Sequence, residues 1–188
     1  MVITMTETIK NIKCRFSCRG FKPLPLTEEQ VKALEESALA APSARNLQPW
    51  HIIVVTDKKE IESLDAEGMK ELSTYKDPAM YNLMKERGGS LFYNAPYLMI
   101  ILAEEKSDWA SLDCGILCQN VVLAAESMGL GSCILGLAGV PLNGQNKEQL
   151  QKRFKFPAGY KFAVAVAVGE IKHSKKPHDL DQTKVTYI

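Results

Sequence analysis

Apolar and polar positions along the chain switch between helical and strand-like spacing. Apolar residues at helical spacing, preceded by capping side chains, predict six helices. The second begins at residue 27 and stops near Pro42. The other five cover residues 6–13, 57 to about 72, 77–89, 107–128 and 146–154. Thr27 and Gln30 fit a capping box at the start of the second helix, and Asp57 fits the cap of the third. The middle of the 107–128 helix is apolar nearly all round, which predicts the central helix of the core.

Short runs of β-branched and small apolar residues, bounded by turn chemistry, predict strands. Four runs cover 51–56, 97–103, 132–135 and 162–168, and residues 184–188 are a candidate fifth strand. This order predicts an α+β fold in one domain over residues 1–188, with a mixed or antiparallel sheet of four to five strands flanked by helices.

The last 17 residues, from about 172 to 188, form a C-terminal arm, because a polar and basic stretch separates the candidate fifth strand from the rest. The arm either crosses to a second subunit and completes its sheet, or it is a frayed tail. The pattern of residues alone leaves both alternatives open.

Composition narrows the function classes. Hydrophobic residues are 46% of the chain, charged residues are 24%, and the formal net charge is +1. A nearly neutral chain has no overall field for nucleic acid or an anionic membrane, so neither is expected as a partner. The chain has no apolar run of about 18 residues, and its first residues lack the pattern of a signal peptide. We therefore expect a cytoplasmic protein.

The five cysteines do not suggest a disulfide framework or a metal site. Their number is odd, and the pairs 14/18 and 114/118 have a wider spacing than zinc or iron–sulfur hairpins use. We expect reduced, mostly buried thiols and no bound metal.

The first segment where chemistry could lie contains Arg15, Ser17 and Arg19. Residues two apart in an extended segment face the same side, so two cations and a hydroxyl could meet one ligand. An arginine fork suits phosphate, and a second cation suits a ring oxygen that becomes negative on reduction. The alternative is a solvated basic loop after a helix.

The second segment is the loop at 41–50, which has the sequence Ala-Pro-Ser-Ala-Arg-Asn-Leu-Gln-Pro-Trp. Prolines stiffen it, and its amides could bond the edge of a heterocycle. Alternatively, it is a rigid connection whose Trp50 packs in the core. The third segment is basic and contains Lys172, Lys175, Lys176 and His178. It could close over a phosphate, or it is a solvated surface.

Several common catalytic patterns are missing from the sequence. It has no phosphate-binding Gly-Lys-Ser/Thr loop, no dinucleotide Gly-x-Gly-x-x-Gly opening a helix after a strand, and no Gly-x-Ser-x-Gly elbow. Asp113 lies in the central helix without an evident partner histidine. We therefore predict no catalytic side chain.

Taken together, the segments resemble the nitroreductase family of FMN enzymes over nearly the whole chain. The resemblance is carried by residues 15–19, by the proline-rich loop at 41–50 followed directly by a strand, by Tyr-Asn-Ala-Pro at 93–96, and by 129–136. It implies an intertwined homodimer with an exchanged C-terminal arm and two FMN sites at the interface.

The resemblance also implies which residues contact the flavin. Arg15 and Ser17 would hold its phosphate, and Arg19 would stabilise charge on the reduced ring. Leu135 and Gly136 would offer backbone N–H groups. The remaining contacts would be Pro42, Ser43, Ala44, Asn46 and, less firmly, Gln48 from the opposite subunit, with Lys176 and His178 over the phosphate.

The implied activity is a ping-pong transfer of hydride from NADH or NADPH, through FMN, to a nitroaromatic, quinone, enone or similar small acceptor. The alternatives are an NAD(P)H:flavin reductase and a flavin-binding redox or storage protein without turnover. Two residues depart from the family pattern: His178 stands where arginine is common, and Arg45 stands where a small or neutral residue is common. Asn82 and Asn94 are both candidates for the family's ring-edge asparagine.

Overall fold

A computed structural model describes residues 6–188 of the chain. Seven α-helices occur in this range: α1 (Glu7–Cys14), α2 (Glu28–Leu39), α3 (Lys58–Ser73), α4 (Ala79–Glu86), α5 (Ala110–Ser127), α6 (Gly139–Asn143) and α7 (Lys147–Arg153). Four strands occur with them: β1 (Trp50–Val55), β2 (Tyr97–Glu104), β3 (Gly131–Leu135) and β4 (Tyr160–Gly169). All six predicted helices and four of the predicted strands are confirmed, with shifted ends. The short α6 was not predicted.

The predicted helix caps are also confirmed. The Gln30 backbone N–H donates to Thr27 Oγ1 at 3.3 Å, and the Gln30 side chain accepts from the Thr27 N–H at 2.9 Å. Asp57 accepts from the Lys59 N–H at 2.8 Å. Gly129, with φ of 71°, ends α5 in the left-handed conformation that favours glycine.

The four strands form one antiparallel sheet in the order β1-β2-β4-β3. Alternate residues of β2 face opposite sides, as the period of a strand requires. Leu98, Ile100 and Leu102 pack in one core with α3. The other side, with Met99 and Ile101, packs against α2 and α5. The molecule therefore has three layers, with helices on both faces of the sheet.

The predicted central helix is confirmed, since α5 buries eight side chains and contacts β2, β3 and β4. The start of the helix is different from its middle. Trp109, just before the helix, is 58% exposed, and Leu112 is exposed as well. One end of the helix therefore presents apolar side chains at the surface of the chain.

The candidate fifth strand at 184–188 is wrong within a single chain. The structure has a short 3₁₀ turn at Gln182–Lys184 and no strand after it. A strand needs a neighbouring edge to pair with, and here Tyr187 is 94% exposed. Over residues 6–188, no helix is both long and apolar enough to cross a membrane.

Candidate functional site

The segment with the first candidate residues runs beside β3. Ser17 bridges to Ser132, and the Cys18 N–H donates to the Ser132 carbonyl at 2.9 Å. Further on, the Lys172 N–H donates to the Gly20 carbonyl at 3.0 Å. The segment is therefore held at both ends by backbone hydrogen bonds, which fixes where its side chains point.

In this extended segment, successive side chains point to opposite sides, as predicted. Cys18 is fully buried, whereas Arg15 and Ser17 are half-buried and Arg19 is exposed. Arg15 Nη2 donates to Ser17 Oγ over 3.5 Å. Two guanidinium groups and a hydroxyl are thus available on the side opposite to the buried thiol.

Arg15 carries the clearest sign that this segment binds a ligand. Its Nε is buried and has no hydrogen-bond partner anywhere in residues 6–188. Buried donors are nearly always paired, because an unpaired one keeps the full penalty of leaving water. A guanidinium with an unmet donor beside a serine hydroxyl fits an anionic oxygen ligand such as a phosphate.

The thiol of Cys133 on β3 responds to the charges around it. Burial raises its pKa above the ordinary value, and the cations of Arg19, Arg15 and Arg87 act in the opposite direction. Arg87, just after α4, was not predicted as a site residue.

Leu135 and Gly136 lie at the end of the same strand that holds Ser17. Leu135 is buried and ends β3, and Gly136 is exposed and begins a 3₁₀ turn. Leu135 lies three residue steps along the strand from Ser132, which is about 10 Å at the usual rise. The structure thus brings the N-terminal arginines and the predicted backbone donors together along β3.

The proline-rich loop has a strained backbone. Arg45, Asn46 and Gln48 all have positive φ, of 55°, 55° and 48°. Residues other than glycine seldom adopt this conformation, and it clusters at functional sites. Inside the loop, Ser43 Oγ accepts from the Gln48 N–H at 2.9 Å, and Gln48 Nε2 donates to Asn46 Oδ1 at 3.2 Å. Pro42 is exposed, and Ala44 is half-buried.

Asp113 anchors this loop. The Ala44 N–H donates to both carboxylate oxygens of Asp113, at 3.3 Å each. Asp113 is only 2% exposed and lies in the first turn of α5. The sequence shows this aspartate without a histidine partner, and its actual partner is a backbone group that composition could not reveal.

Within one chain, the two halves of the predicted site lie at opposite ends of α5. Ala44 bonds to Asp113 near the start of the helix, whereas the charge of Arg15 acts on Glu126 near its end. Burial raises the pKa of Glu126, and Arg15 opposes that rise. The thirteen residue steps of helix from Asp113 to Glu126 correspond to about 20 Å. A single chain therefore does not bring the arginines and the loop to one ligand.

Lys176 and His178 are both exposed in the arm, and Lys176 pairs with Asp179 at 3.0 Å. In the described part of the chain, no hydrogen bond or ion pair joins either of them to the N-terminal arginines. The arm does begin near that segment, since a Cβ on Gly20 would be 3.4 Å from the ring of His173.

A separate cavity of about 440 Å³ opens near the end of β1. It is lined by Pro23, Pro25, Ile61, Asp65, Asn94 and Pro96, among others. Apart from the candidate Asn94, none of these residues was predicted to contact the flavin. Asn94, one of the two candidate ring-edge asparagines, thus faces this cavity. Residues 6–188 hold no group of three or more His, Cys, Asp or Glu arranged for a metal ion.

Comparison with known proteins adds an independent line of evidence. The Nitroreductase family matches residues 12–170, which is most of the chain. This chain belongs to the nitroreductase family. A nitroreductase with bound FMN from Desulfitobacterium hafniense DCB-2 superimposes with a TM-score of 0.94 at 40% identity, over 98% of this chain and 100% of that one. The predicted fold class and family are therefore confirmed.

Two more relatives extend the comparison. A nitroreductase with bound FMN from Bacteroides fragilis NCTC 9343 has a TM-score of 0.86 at 25% identity, over 97% of this chain and 99% of its own. FMN reductase (NADPH) of Bacillus subtilis (strain 168) is 33% identical over 70% of this chain and 55% of its own length. The solved relatives share almost the full length of the chain.

Proposed function

We propose that this nitroreductase-family protein binds FMN at two sites, each shared between the chains of a homodimer, and uses NAD(P)H to reduce a small acceptor. The observation that carries the proposal is the buried, unpartnered Nε of Arg15 beside Ser17. Solved relatives that align over nearly the whole chain are described as containing FMN. The side chains at this position therefore fit the phosphate end of that cofactor.

The residues of the chain have distinct roles in this proposal. Arg15 and Ser17 bind the phosphate, and Arg19 stabilises negative charge at the ring edge. The backbone N–H groups of Leu135 and Gly136 donate to the ring from the end of β3. The stiff loop of the partner chain covers the ring through Pro42, Ser43, Ala44, Asn46 and Gln48, and Lys176 and His178 close over the phosphate.

When bound, FMN supplies the redox chemistry by accepting hydride from the nicotinamide and passing electrons to an acceptor. The protein then needs only to hold the ring, stabilise its charge and leave one face open. This requirement agrees with a site built from arginines, a serine and backbone donors. The nicotinamide and the acceptor occupy the open face in turn, which gives ping-pong kinetics.

The separation along α5 is the main reason to propose a shared site. Asp113, which bonds to the loop, and Glu126, on which the charge of Arg15 acts, lie about 20 Å apart along the helix. The loop and the arginines would therefore meet at one ligand if a second chain brought its own loop to the first chain's arginines. The exposed Trp109, Leu112 and Leu47 lie at the loop end of α5 and would be buried by that second chain.

An exchanged C-terminal arm agrees with two further features. First, the arm exposes apolar side chains that would be more stable when buried: Leu180, Val185, Tyr187 and Ile188. The second feature is the free edge of the sheet at β1. This strand borders a groove with the exposed Leu39 and the half-buried Ile52 and Val54. An extended arm from the partner would pair with that edge and cover both apolar surfaces.

Purified protein tests the proposal directly. We expect a yellow dimer with about one FMN per chain, which NADH or NADPH bleaches under anaerobic conditions and which nitroaromatics, quinones or enones reoxidise. Arg19→Ala should slow reduction by NAD(P)H. A colourless monomer, even after incubation with FMN, would refute the shared flavin site. Bound flavin that NAD(P)H does not bleach would favour a storage protein instead.

A flavin reductase is the second candidate, favoured by the relative from Bacillus subtilis that is named FMN reductase (NADPH). The two candidates differ in their acceptor. An enzyme that reduces free flavin shows saturation with added FMN or riboflavin as the second substrate, whereas an enzyme specific for nitroaromatics or quinones does not.

A further inference from the structure

The strained loop requires a contact that holds it in place. Arg45, Asn46 and Gln48 adopt left-handed backbone conformations that non-glycine residues keep only when their surroundings enforce them. The hydrogen bonds that Gln48 donates to Ser43 and Asn46 are internal to the loop. They shape it, but they do not attach it to the rest of the molecule.

Asp113 provides that attachment. Among the hydrogen bonds of the described chain, its carboxylate is the only side chain from outside the loop that bonds to residues 43–48. Both of its oxygens accept from the Ala44 N–H. The N–H is shared between the two oxygens at 3.3 Å each, so this contact attaches the strained backbone to the start of α5.

Burying the carboxylate of Asp113 is unfavourable unless hydrogen-bond donors such as the Ala44 N–H compensate for the lost water. A buried carboxylate loses its hydration and needs donors to replace water. The first turn of α5 offers the positive end of the helix dipole, and Ala44 offers a backbone donor. The neighbouring face of α5 is filled by apolar side chains such as Leu117 and Val121, which need no such compensation.

We infer that Asp113 is a positioning residue: it fixes the loop at 43–48 to the start of α5, and so sets how that loop meets the flavin held by the partner chain. This inference rests on the proposed shared site. It adds a residue that contacts neither cofactor nor substrate and that acts on the partner's site rather than on its own.

The attachment is measurable without cofactor. In FMN-free protein, Asp113→Ala should increase hydrogen exchange at the amides of residues 43–48, while the strands of the sheet stay protected. Asp113→Asn keeps one acceptor oxygen and should give an intermediate result. Asp65→Asn is the matched control, because Asp65 is a half-buried carboxylate that accepts from the Leu91 N–H at 2.6 Å, far from this loop. Unchanged exchange at 43–48 in Asp113→Ala would overturn the inference.

The positioning role predicts a change in flavin binding. Loss of a charge-assisted hydrogen bond should raise the FMN dissociation constant of Asp113→Ala by about tenfold to about a hundredfold. We also expect altered flavin circular dichroism in the bound fraction and a lower kcat with little change in the nicotinamide KM. Asp65→Asn should keep the wild-type values. If Asp113→Ala loosened the loop but bound FMN as wild type does, the role would be structural only, and the inference would be wrong.

Mixed dimers distinguish action on the partner's site from action on the same chain's site. One chain carries Arg15→Ala, the other carries Asp113→Ala, and two affinity tags isolate the heterodimer. If Asp113 acts across the interface, both defects fall in one site and the other site is intact. The heterodimer then binds one FMN with wild-type affinity and has about half of the wild-type activity, as two independent sites require. If each site carries one defect, no wild-type site appears, and the inference is overturned.

The two hypotheses fail in different ways. Wild-type protein that binds no FMN would refute the proposed function and the positioning role with it, while the exchange experiment would still show whether Asp113 holds the loop. Wild-type binding of FMN together with wild-type binding by Asp113→Ala would refute the positioning role alone.

Discussion

Gly131 and Cys18 lie so close together that a Cβ on Gly131 would be 2.8 Å from the Cys18 sulfur. It would also be 2.9 Å from Cγ1 of Ile171. Both neighbours belong to segments held by backbone hydrogen bonds, so neither can move away cheaply. This close approach seats the segment with Ser17 and Arg19 against β3.

Gly131→Ala should therefore destabilise the protein and weaken flavin binding together. Overpacking of this kind costs about 1–3 kcal/mol, and the displaced segment carries the proposed phosphate contacts. Chemical denaturation and an FMN titration measure the two effects. Gly115→Ala is the control, since a Cβ on this helical glycine of α5 meets nothing within 4 Å. It should raise stability by about 0.5–1 kcal/mol. Equal effects at both positions would contradict the steric explanation.

The thiols should react very unevenly. Cys14 is exposed, whereas Cys18, Cys114, Cys118 and Cys133 are buried. Burial also raises the pKa of Cys114 to about 11 and that of Cys118 to about 12, so their reactive thiolate forms are scarce at neutral pH. A colorimetric disulfide reagent should titrate one thiol rapidly in native protein and five after denaturation. Rapid reaction that persists in Cys14→Ser would show that the core opens.

Asp65 should make stability depend on pH. Burial raises the pKa of this carboxyl, and the hydrogen bonds from Ser90, Leu91 and Phe92 only partly offset the rise. Because the pKa of the Asp65 carboxyl is higher in the folded than in the unfolded protein, this group stabilises the fold at low pH. That contribution is lost as the pH rises through the pKa of the folded state. From about pH 4 upward, the free energy of unfolding of Asp65→Asn should therefore improve relative to wild type and then level off.

Ser90→Ala provides the check on this explanation. Ser90 donates to Asp65 and favours the charged carboxylate. Without that bond the pKa of Asp65 in the folded state rises further, so the pH-dependent loss of stability should extend to higher pH. Urea midpoints at several pH values measure both variants. A difference between Asp65→Asn and wild type that does not vary with pH would contradict the assignment.

Removal of residues 180–188 should weaken the dimer. The truncation keeps Lys176 and His178 but deletes Leu180, Val185, Tyr187 and Ile188, the exposed apolar side chains of the arm. Loss of their burial should raise the dimer dissociation constant by at least about tenfold. Analytical ultracentrifugation measures it. Lys176→Ala is the matched control, which should weaken FMN binding and leave the dimer intact. An unchanged dimer after truncation would show that the arm does not cross.

Features that depend on local patterns could be predicted from the sequence. The Thr27–Gln30 capping box, the run at 97–103 and the shared side of Arg15 and Ser17 all follow from short-range chemistry, and the structure contains each of them. The family resemblance added the expectation that these separate segments contribute to one site. The spacing of apolar residues could not supply that expectation.

Features that depend on tertiary contacts could not be predicted in this way. The left-handed backbone of Arg45 depends on its surroundings, since an arginine side chain does not favour it. Asparagine adopts this conformation more readily, but the sequence alone does not show that Asn46 does so here. The charge of Arg87 acts on Cys133 from a distant part of the chain, which no local pattern indicates. The run at 184–188 has strand-like residues, but a strand forms only when it pairs with another strand, and this run pairs with none among residues 6–188.

The helix α5 fixes the distance between Asp113 and Glu126, and this has a consequence for how the sequence can vary. One residue inserted between them would rotate one end of the helix by about 100° relative to the other and lengthen it by about 1.5 Å. Such an insertion would misalign the loop of one chain with the arginines of the other in both copies at once. Related sequences should accordingly tolerate length changes in their loops, for example around residues 74–78, but not in this interval.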